Sequence, residues 1–348
     1  MRRLPTSVCS LLILATLTLT GCGTGTAATT TPTVDATPIL PAGQPGMATA
    51  TVEGGSVLRV PEPVATVAAR MTEYAAETAP YPIMLTPPTG TPAALISAAD
   101  LKAQGPDTRR RIIDMGTWDE YAAGHLPGAD HLDWSALEGT DTQPAALDAW
   151  QRRMVYELSI RGISATSRVV IYDHGTLYGA RLWWVLDQLG QADKQILDGG
   201  FAAWQAAGGA VDTHPNTYPA VSFAPQLRPD TLATKDQVQA SLGQAGVSLV
   251  DARSPDEYAA GHIPGAVNIP FSSTAGGTPP VYKTPAELHA LFAAQGISDG
   301  TQVITYCSTG VRGSTDYVAA RRAGFPNVRL YTGSWAEWSR DPQAPVQK

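Results

Sequence analysis

Short apolar runs rich in β-branched residues recur through the chain after residue 110, separated by longer stretches of mixed polarity. Val169–Tyr172, Val303–Tyr306 and Val328–Tyr331 show little alternation of polar and apolar side chains. That is the pattern of parallel strands covered on both faces. Helices are expected between them. Thr284-Pro285-Ala286-Glu287 predicts a helix start, with Thr as N-cap, Pro in the first position and Glu in the third for a capping box. Gly296 suits the position just after that helix. A further helix is predicted over Ser314–Ala323, after a loop of small residues. Strands alternating with helices predict an α/β fold in which each domain is a doubly wound parallel sheet flanked by helices.

The pattern is duplicated. Ile112-Ile113-Asp114 followed by Trp118-Asp119-Glu120-Tyr121-Ala122-Ala123-Gly124-His125-Leu126-Pro127-Gly128-Ala129 is answered by Leu249-Val250-Asp251 and Asp256-Glu257-Tyr258-Ala259-Ala260-Gly261-His262-Ile263-Pro264-Gly265-Ala266. Arg168–Asp173 is answered by Gln302–Cys307, and Phe201–Trp204 by Trp335–Trp338. An offset of roughly 135 residues is too long for a solenoid unit and marks two domains. They are placed at 91–213 and 229–346. The linker between them, 214–228, carries Pro215, Pro219 and Pro225.

The first 22 residues read as a targeting segment. Arg2 and Arg3 precede a mostly apolar stretch, Val8–Leu19, that is too short to span a bilayer comfortably. Leu19-Thr20-Gly21-Cys22 resembles the lipobox of bacterial lipoproteins, in which Cys22 would be lipidated; the alternative is an ordinary cleaved signal peptide. Residues 23–90, rich in Thr, Ala and Pro, read as a flexible tether, with Val64–Tyr74 as a short helical piece. The expectation is an exported protein at the cell surface or in the periplasm, touching the membrane through its lipid anchor only. Acidic residues outnumber basic ones, 31 to 24, and no basic block stands out, which argues against a nucleic-acid partner.

The cysteines then narrow the chemistry. Cys9 lies in the targeting segment and Cys22 would carry lipid, so Cys307 remains without a disulfide partner. It is either a packed residue at the end of a strand or a reactive thiol. It is followed by Ser308-Thr309-Gly310-Val311-Arg312-Gly313 and then a helix. Small residues let successive N–H groups turn inward as an anion-binding nest, and a helix start adds positive potential. Arg312 adds a fixed charge. These surroundings favour an anionic sulfur and an anionic substrate.

With these motifs the chain resembles the tandem-domain rhodanese family, the thiosulfate and 3-mercaptopyruvate sulfurtransferases, here in a bacterial lipoprotein form. The likeness covers roughly Pro92 to Val346, including Gly333-Ser334-Trp335-Ala336-Glu337-Trp338. It implies a catalytically inactive first domain, with Asp173 at the cysteine position. It also implies double displacement at Cys307. The thiolate takes the outer sulfur of thiosulfate and sulfite leaves. The persulfide is held by the N–H groups of Ser308, Thr309, Gly310, Val311 and Arg312, and cyanide, a thiol or a protein acceptor takes the sulfur. No metal or organic cofactor is expected.

Among the other signature positions, Asp251 is expected to bond loop donors rather than move protons. Arg253 either helps form the anionic pocket or makes a surface or interdomain salt bridge. Trp335 is a candidate for the site mouth, and Arg181 is expected at the domain interface. His262 is expected to be structural. For His125 the resemblance implies a link to a loop hydroxyl in a proton relay. The loop departs from both subfamilies. Only Arg312 is basic, Glu257 stands where animal thiosulfate enzymes have arginine, and Ser308-Thr309 replaces a Gly-Ser pair. Thiosulfate is the expected donor, with 3-mercaptopyruvate as the alternative.

Two rivals come from other classes. A phosphatase or arsenate reductase of related fold needs a wider loop than the four residues between Cys307 and Arg312. A lipid-anchored module that binds sulfur or senses redox state, with a protein acceptor, has little need for Arg312.

Overall fold

The computed structural model describes residues 95–348 and two short upstream strands, β1 (Ala48–Thr51) and β2 (Val57–Val60). The first domain runs β3 (Leu95–Ile96), α1 (Ala98–Ala103), β4 (Arg110–Asp114), α2 (Trp118–Ala123), β5 (Ala129–His131), α3 (Pro144–Ile160), β6 (Arg168–Tyr172), α4 (Gly179–Gln188), β7 (Lys194–Leu197) and α5 (Gly200–Ala206). The second runs β8 (Leu232–Ala233), α6 (Lys235–Ser241), β9 (Val247–Asp251), α7 (Pro255–Ala260), β10 (Val267–Asn268), β11 (Ala275–Gly276), β12 (Val281–Tyr282), α8 (Pro285–Ala293), β13 (Gln302–Tyr306), α9 (Val311–Ala323), β14 (Val328–Tyr331) and α10 (Ser334–Trp338). The three predicted apolar runs are therefore strands.

Each domain builds one five-stranded parallel sheet. The orders are β5-β4-β6-β7-β3 and β10-β9-β13-β14-β8, the same topology twice. The β11–β12 hairpin belongs to the second domain alone. In each sheet the chain reverses its direction of growth at the central strand, β6 or β13. In open α/β sheets the crevice beyond the carboxyl end of such a strand is where ligands bind. Cys307 directly follows β13.

Capping boxes start several helices. Thr284 with Glu287 begins α8 as predicted, and Ser254 with Glu257 begins α7 in the same way. Helix α8 ends at Ala293. Gly296, at φ 76°, lets the Ile297 N–H return to the Phe292 carbonyl in a Schellman-type closure.

Helix α4 is buried along its whole length. One side covers its own sheet, and the other packs on α9 of the second domain. Trp183 meets Tyr317 with ring centroids 6.3 Å apart, and the Trp184 indole donates to the Thr231 carbonyl. One hydrophobic cluster includes side chains of both domains.

The segment read as a linker is strapped to the first domain. Tyr218 donates to the Gly128 carbonyl, the Val221 N–H to Ser159, and Arg228 pairs with Asp187, while Phe223 is buried. Its prolines stiffen the strap and do not loosen it.

Upstream, β1 and β2 pair antiparallel inside the segment expected to be a flexible tether. The run Val57-Leu58-Arg59-Val60 has the β-branched character that suits a strand. The targeting segment, Cys22 and the helix expected at Val64–Tyr74 lie outside the described residues. Among the described residues no helix is long and apolar enough to cross a membrane.

Candidate active site

Cys307 is 1% exposed and opens a loop that closes after Gly310. Helix α9 begins at Val311, three residues earlier than the predicted Ser314. Val311 and Arg312 therefore belong to its first turn and not to the loop. Two glycines explain the misreading. Gly310, at φ 89°, ends the loop in a left-handed conformation. Gly313 lies within the helix, where a Cβ would press to 3.0 Å on the Tyr306 backbone. Gly313 thus marks close approach of helix to strand.

The loop is held from below by α10. The Cys307 N–H donates to Ser334 Oγ at 3.2 Å. The Trp335 and Ala336 N–H groups donate to the Cys307 and Ser308 carbonyls at 2.9 Å each. Ser334 takes a left-handed φ of 55°, unusual for a side chain other than glycine. The Gly310 N–H reaches Cys307 Sγ at 3.1 Å. The first N–H groups of α9 lie beyond it, where helix geometry leaves them without helical partners.

The charges around the loop differ from the expectation. Arg312 does not face the site as a free cation. Its two terminal nitrogens donate to both Glu257 oxygens at 2.7 and 2.8 Å, and Nη2 also donates to Ser308 Oγ at 2.6 Å. The Arg312 bonds hold the Glu257 carboxyl far below its ordinary range, and Glu257 raises Arg312 in return. Glu257 is fixed twice, because it also accepts the Ser254 N–H in the capping box of α7. Thr309 Oγ1 donates to Glu138 of the first domain at 2.6 Å.

A cleft of about 400 Å3 lies between Thr176, Leu177 and Tyr178 of the first domain and Phe271, Ser272 and Pro280 of the second. Tyr178 packs between Trp134 and Phe271. Burial raises its hydroxyl above the usual range, and the charges of Arg312 and Cys307 both reach it.

Several predicted residues serve the scaffold. Arg253 bonds both Asp251 oxygens and the Gly261 carbonyl and lies 4.6 Å from the Trp335 ring centre. The salt bridge is neither at the surface nor between domains: it is buried within the second domain, and Arg253 is not part of an anionic pocket. Asp251 bonds the Arg253 backbone and guanidinium, not the donors of the cysteine loop. Trp335 steadies the loop through its backbone and caps Arg253 with its ring.

His125 is fully buried and stacks on Tyr121 at 3.9 Å. Its ring nitrogens face the carbonyls of Tyr121 and His214, so no loop hydroxyl meets it and the implied relay is not formed. His262 repeats the stack on Tyr258 at 3.7 Å, as a structural residue should. Arg181 does sit at the domain interface and donates to Thr332 of the second domain. No sequence signal marks Glu138, which follows a short 3-10 turn with no chemical motif. Ser334 stood in a recognised motif, but its role depends on a backbone conformation.

The equivalent loop of the first domain shows what such a cradle holds. Asp173 Oδ1 accepts the Gly175 and Thr176 N–H groups at 2.8 and 3.0 Å, and Oδ2 accepts the Gly179 N–H at 2.8 Å. The nest is filled by a carboxylate from its own chain. In the second domain the corresponding side chain is a thiol.

The model of the rhodanese-like domain matches residues 97–207 and 234–341. A thiosulfate sulfurtransferase of Pseudomonas aeruginosa is 34% identical over 253 residues, covering 68% of this chain and 90% of that protein. A probable 3-mercaptopyruvate sulfurtransferase of the same organism is 36% identical over 247 residues, covering 65% and 85%. Among solved structures, EanB with ergothioneine linked to a persulfide cysteine superposes with a TM-score of 0.64 at 26% identity, covering 73% of this chain and 70% of that one. With the same sheet built twice and a cysteine cradle at the carboxyl end of the second, this chain belongs to the rhodanese family of sulfurtransferases, as two rhodanese-like domains in tandem.

Proposed function

We propose that the second domain moves sulfane sulfur from thiosulfate to a thiophilic acceptor, cyanide or a thiol, through a persulfide on Cys307. The observation that carries this reading is the pair of cradles. The same loop and helix start binds a carboxylate in the first domain and presents a lone thiol in the second. In the first step the Cys307 thiolate forms a bond to the outer sulfur of thiosulfate. The bond between the two thiosulfate sulfurs breaks, and its electron pair leaves with sulfite. In the second step the acceptor attacks the terminal persulfide sulfur, and the Cys307 Sγ–S bond returns its electrons to the thiolate. The loop N–H groups stabilise the anionic sulfur throughout.

A second reading takes 3-mercaptopyruvate as donor. The Arg312–Glu257 pair favours it, because a cancelled arginine beside the loop is a greater loss to a dianion than to a monoanion. A lipid on Cys22 would place either reaction at a membrane surface, with a protein as a further choice of acceptor.

The test is intact mass after mixing the protein with each donor and no acceptor. One donor is expected to add about 32 Da, a single sulfur atom held covalently, and Cys307→Ser is expected to add nothing. No adduct from either donor sinks the reading.

A further inference from the structure

Arg181 is a buried cation for which the two steps above have no use. It stands on α4 of the first domain and is 0% exposed. Nε and Nη2 donate to the Leu137 carbonyl at 3.2 and 2.7 Å, and Nη2 also donates to Thr332 Oγ1 at 3.0 Å. Its guanidinium lies 4.7 Å from the Trp184 ring centre and 5.7 Å from that of Trp150. Among the described residues Nη1 has no hydrogen-bond partner. Burial lowers the Arg181 pKa to about 10, so the group remains charged at neutral pH.

A guanidinium shut away from water is expensive unless an anion compensates it. None of the Arg181 bonds goes to a carboxylate. What lies beside Nη1 is the cysteine loop. A Cβ built on Gly310 would sit 3.2 Å from Nη1, and the Gly310 N–H itself donates to Cys307 Sγ. Glycine at this position is what lets the cation approach. The other charges nearby do not supply a net positive field. Arg312 is cancelled by Glu257, Glu138 is a carboxylate bonded to Thr309, and Tyr178 stays neutral. Arg153 is held by the Glu138 carbonyl, and its own burial lowers its pKa.

We infer that Arg181, supplied by the domain that has no cysteine, is the positioning residue that keeps Cys307 and its charged sulfur intermediates anionic. The first domain is thus part of the site, as the source of its fixed positive charge.

The test is the pH dependence of Cys307 alkylation by iodoacetamide in the full-length protein. It reads the thiolate population without any sulfur donor, so its result stands apart from the sulfur-transfer reading on which the role of Arg181 rests. In Arg181→Gln the midpoint is expected to rise by about one pH unit or more, the usual effect of losing a nearby opposite charge. kcat is expected to fall by a larger factor than KM rises. Arg181→Lys is expected to return the midpoint towards wild type. A folded Arg181→Gln protein with a wild-type midpoint overturns the inference.

The wild-type protein supplies a second arm that does not depend on any variant folding. A cation sealed from water escapes salt screening, so the midpoint is expected to hold within about 0.3 units between low salt and ~1 M KCl. A rise of about a unit with salt would assign the stabilising charge to the surface and overturn the inference.

Discussion

The Glu257 carboxylate accepts the Ser254 N–H at 3.0 Å as part of a helix cap while it grips both terminal nitrogens of Arg312. Because its pKa is driven far below the ordinary carboxylate range, it stays ionised and paired down to strongly acidic pH. Arg312 is therefore masked across the ordinary pH range. Glu257→Gln keeps an acceptor for the cap and removes the charge. KM for thiosulfate is expected to fall about tenfold, equivalent to ~1.4 kcal/mol of donor binding, with a smaller change in kcat. Steady-state kinetics check this, and an unchanged KM would mean that Arg312 does not reach the donor. Ser334 belongs to the same scale: one hydroxyl satisfies the Cys307 N–H, and an uncommon φ aims it there.

Helix α9 joins the site to the core and carries a tension of its own. Asp316 is buried on it, and among the described residues neither carboxyl oxygen has a hydrogen-bond partner. Burial, with Asp251 close by, pushes its pKa well above the ordinary value. The folded protein therefore keeps a proton that the unfolded chain releases once pH exceeds about 4. Stability from this group falls as pH rises from there towards the folded value. Asp316→Asn removes that slope. Its melting temperature is expected to match wild type near pH 4 and to exceed it increasingly towards pH 8, by about 2–4 °C for each kcal/mol of relief. Thermal unfolding across that range checks it, and a constant difference would show that Asp316 is not protonated in the fold.

At the scale of the whole molecule the two domains are fastened by α4 against α9, and the fastening has a polar core. Asp187 of α4 accepts from Lys194 and Arg228 at 2.9 Å each and from Tyr317 of α9 at 2.8 Å. Burial opposes its charge, but the two cations outweigh that and hold the carboxyl below its usual range. Stability from this depressed carboxylate is present above the ordinary aspartate pKa and is lost as pH falls through the folded one. Asp187→Ala leaves the buried Lys194 without its carboxylate while Arg228 keeps Asp230, so denaturant unfolding at pH 7 is expected to show a loss of about 3–5 kcal/mol, shrinking at acid pH. Glu337 of α10, bonded to Thr142 of the first domain at 2.7 to 2.9 Å, makes a second bridge. Since Glu138 and Arg181 also reach across, the site and the interface are one structure.

The duplicated sequence by itself determined the fold, because strand runs, capping boxes and the Gly-His-Leu/Ile-Pro-Gly-Ala turns depend on local steric and hydrogen-bonding preferences that residue order displays. It also determined the place of Cys307, since a thiol after a buried strand and before small residues needs no tertiary contact to be noticed. Tertiary structure alone decided the electrostatics. Glu257 reads as a helix-cap residue and Arg312 as an anion ligand until packing brings them together. Arg181 reads as an interface residue until Gly310 admits it to the loop. Glu138, 171 positions before Thr309, carries no local signal. Charge interactions depend on distance through space and on exclusion of water, and neither quantity is written in the order of residues.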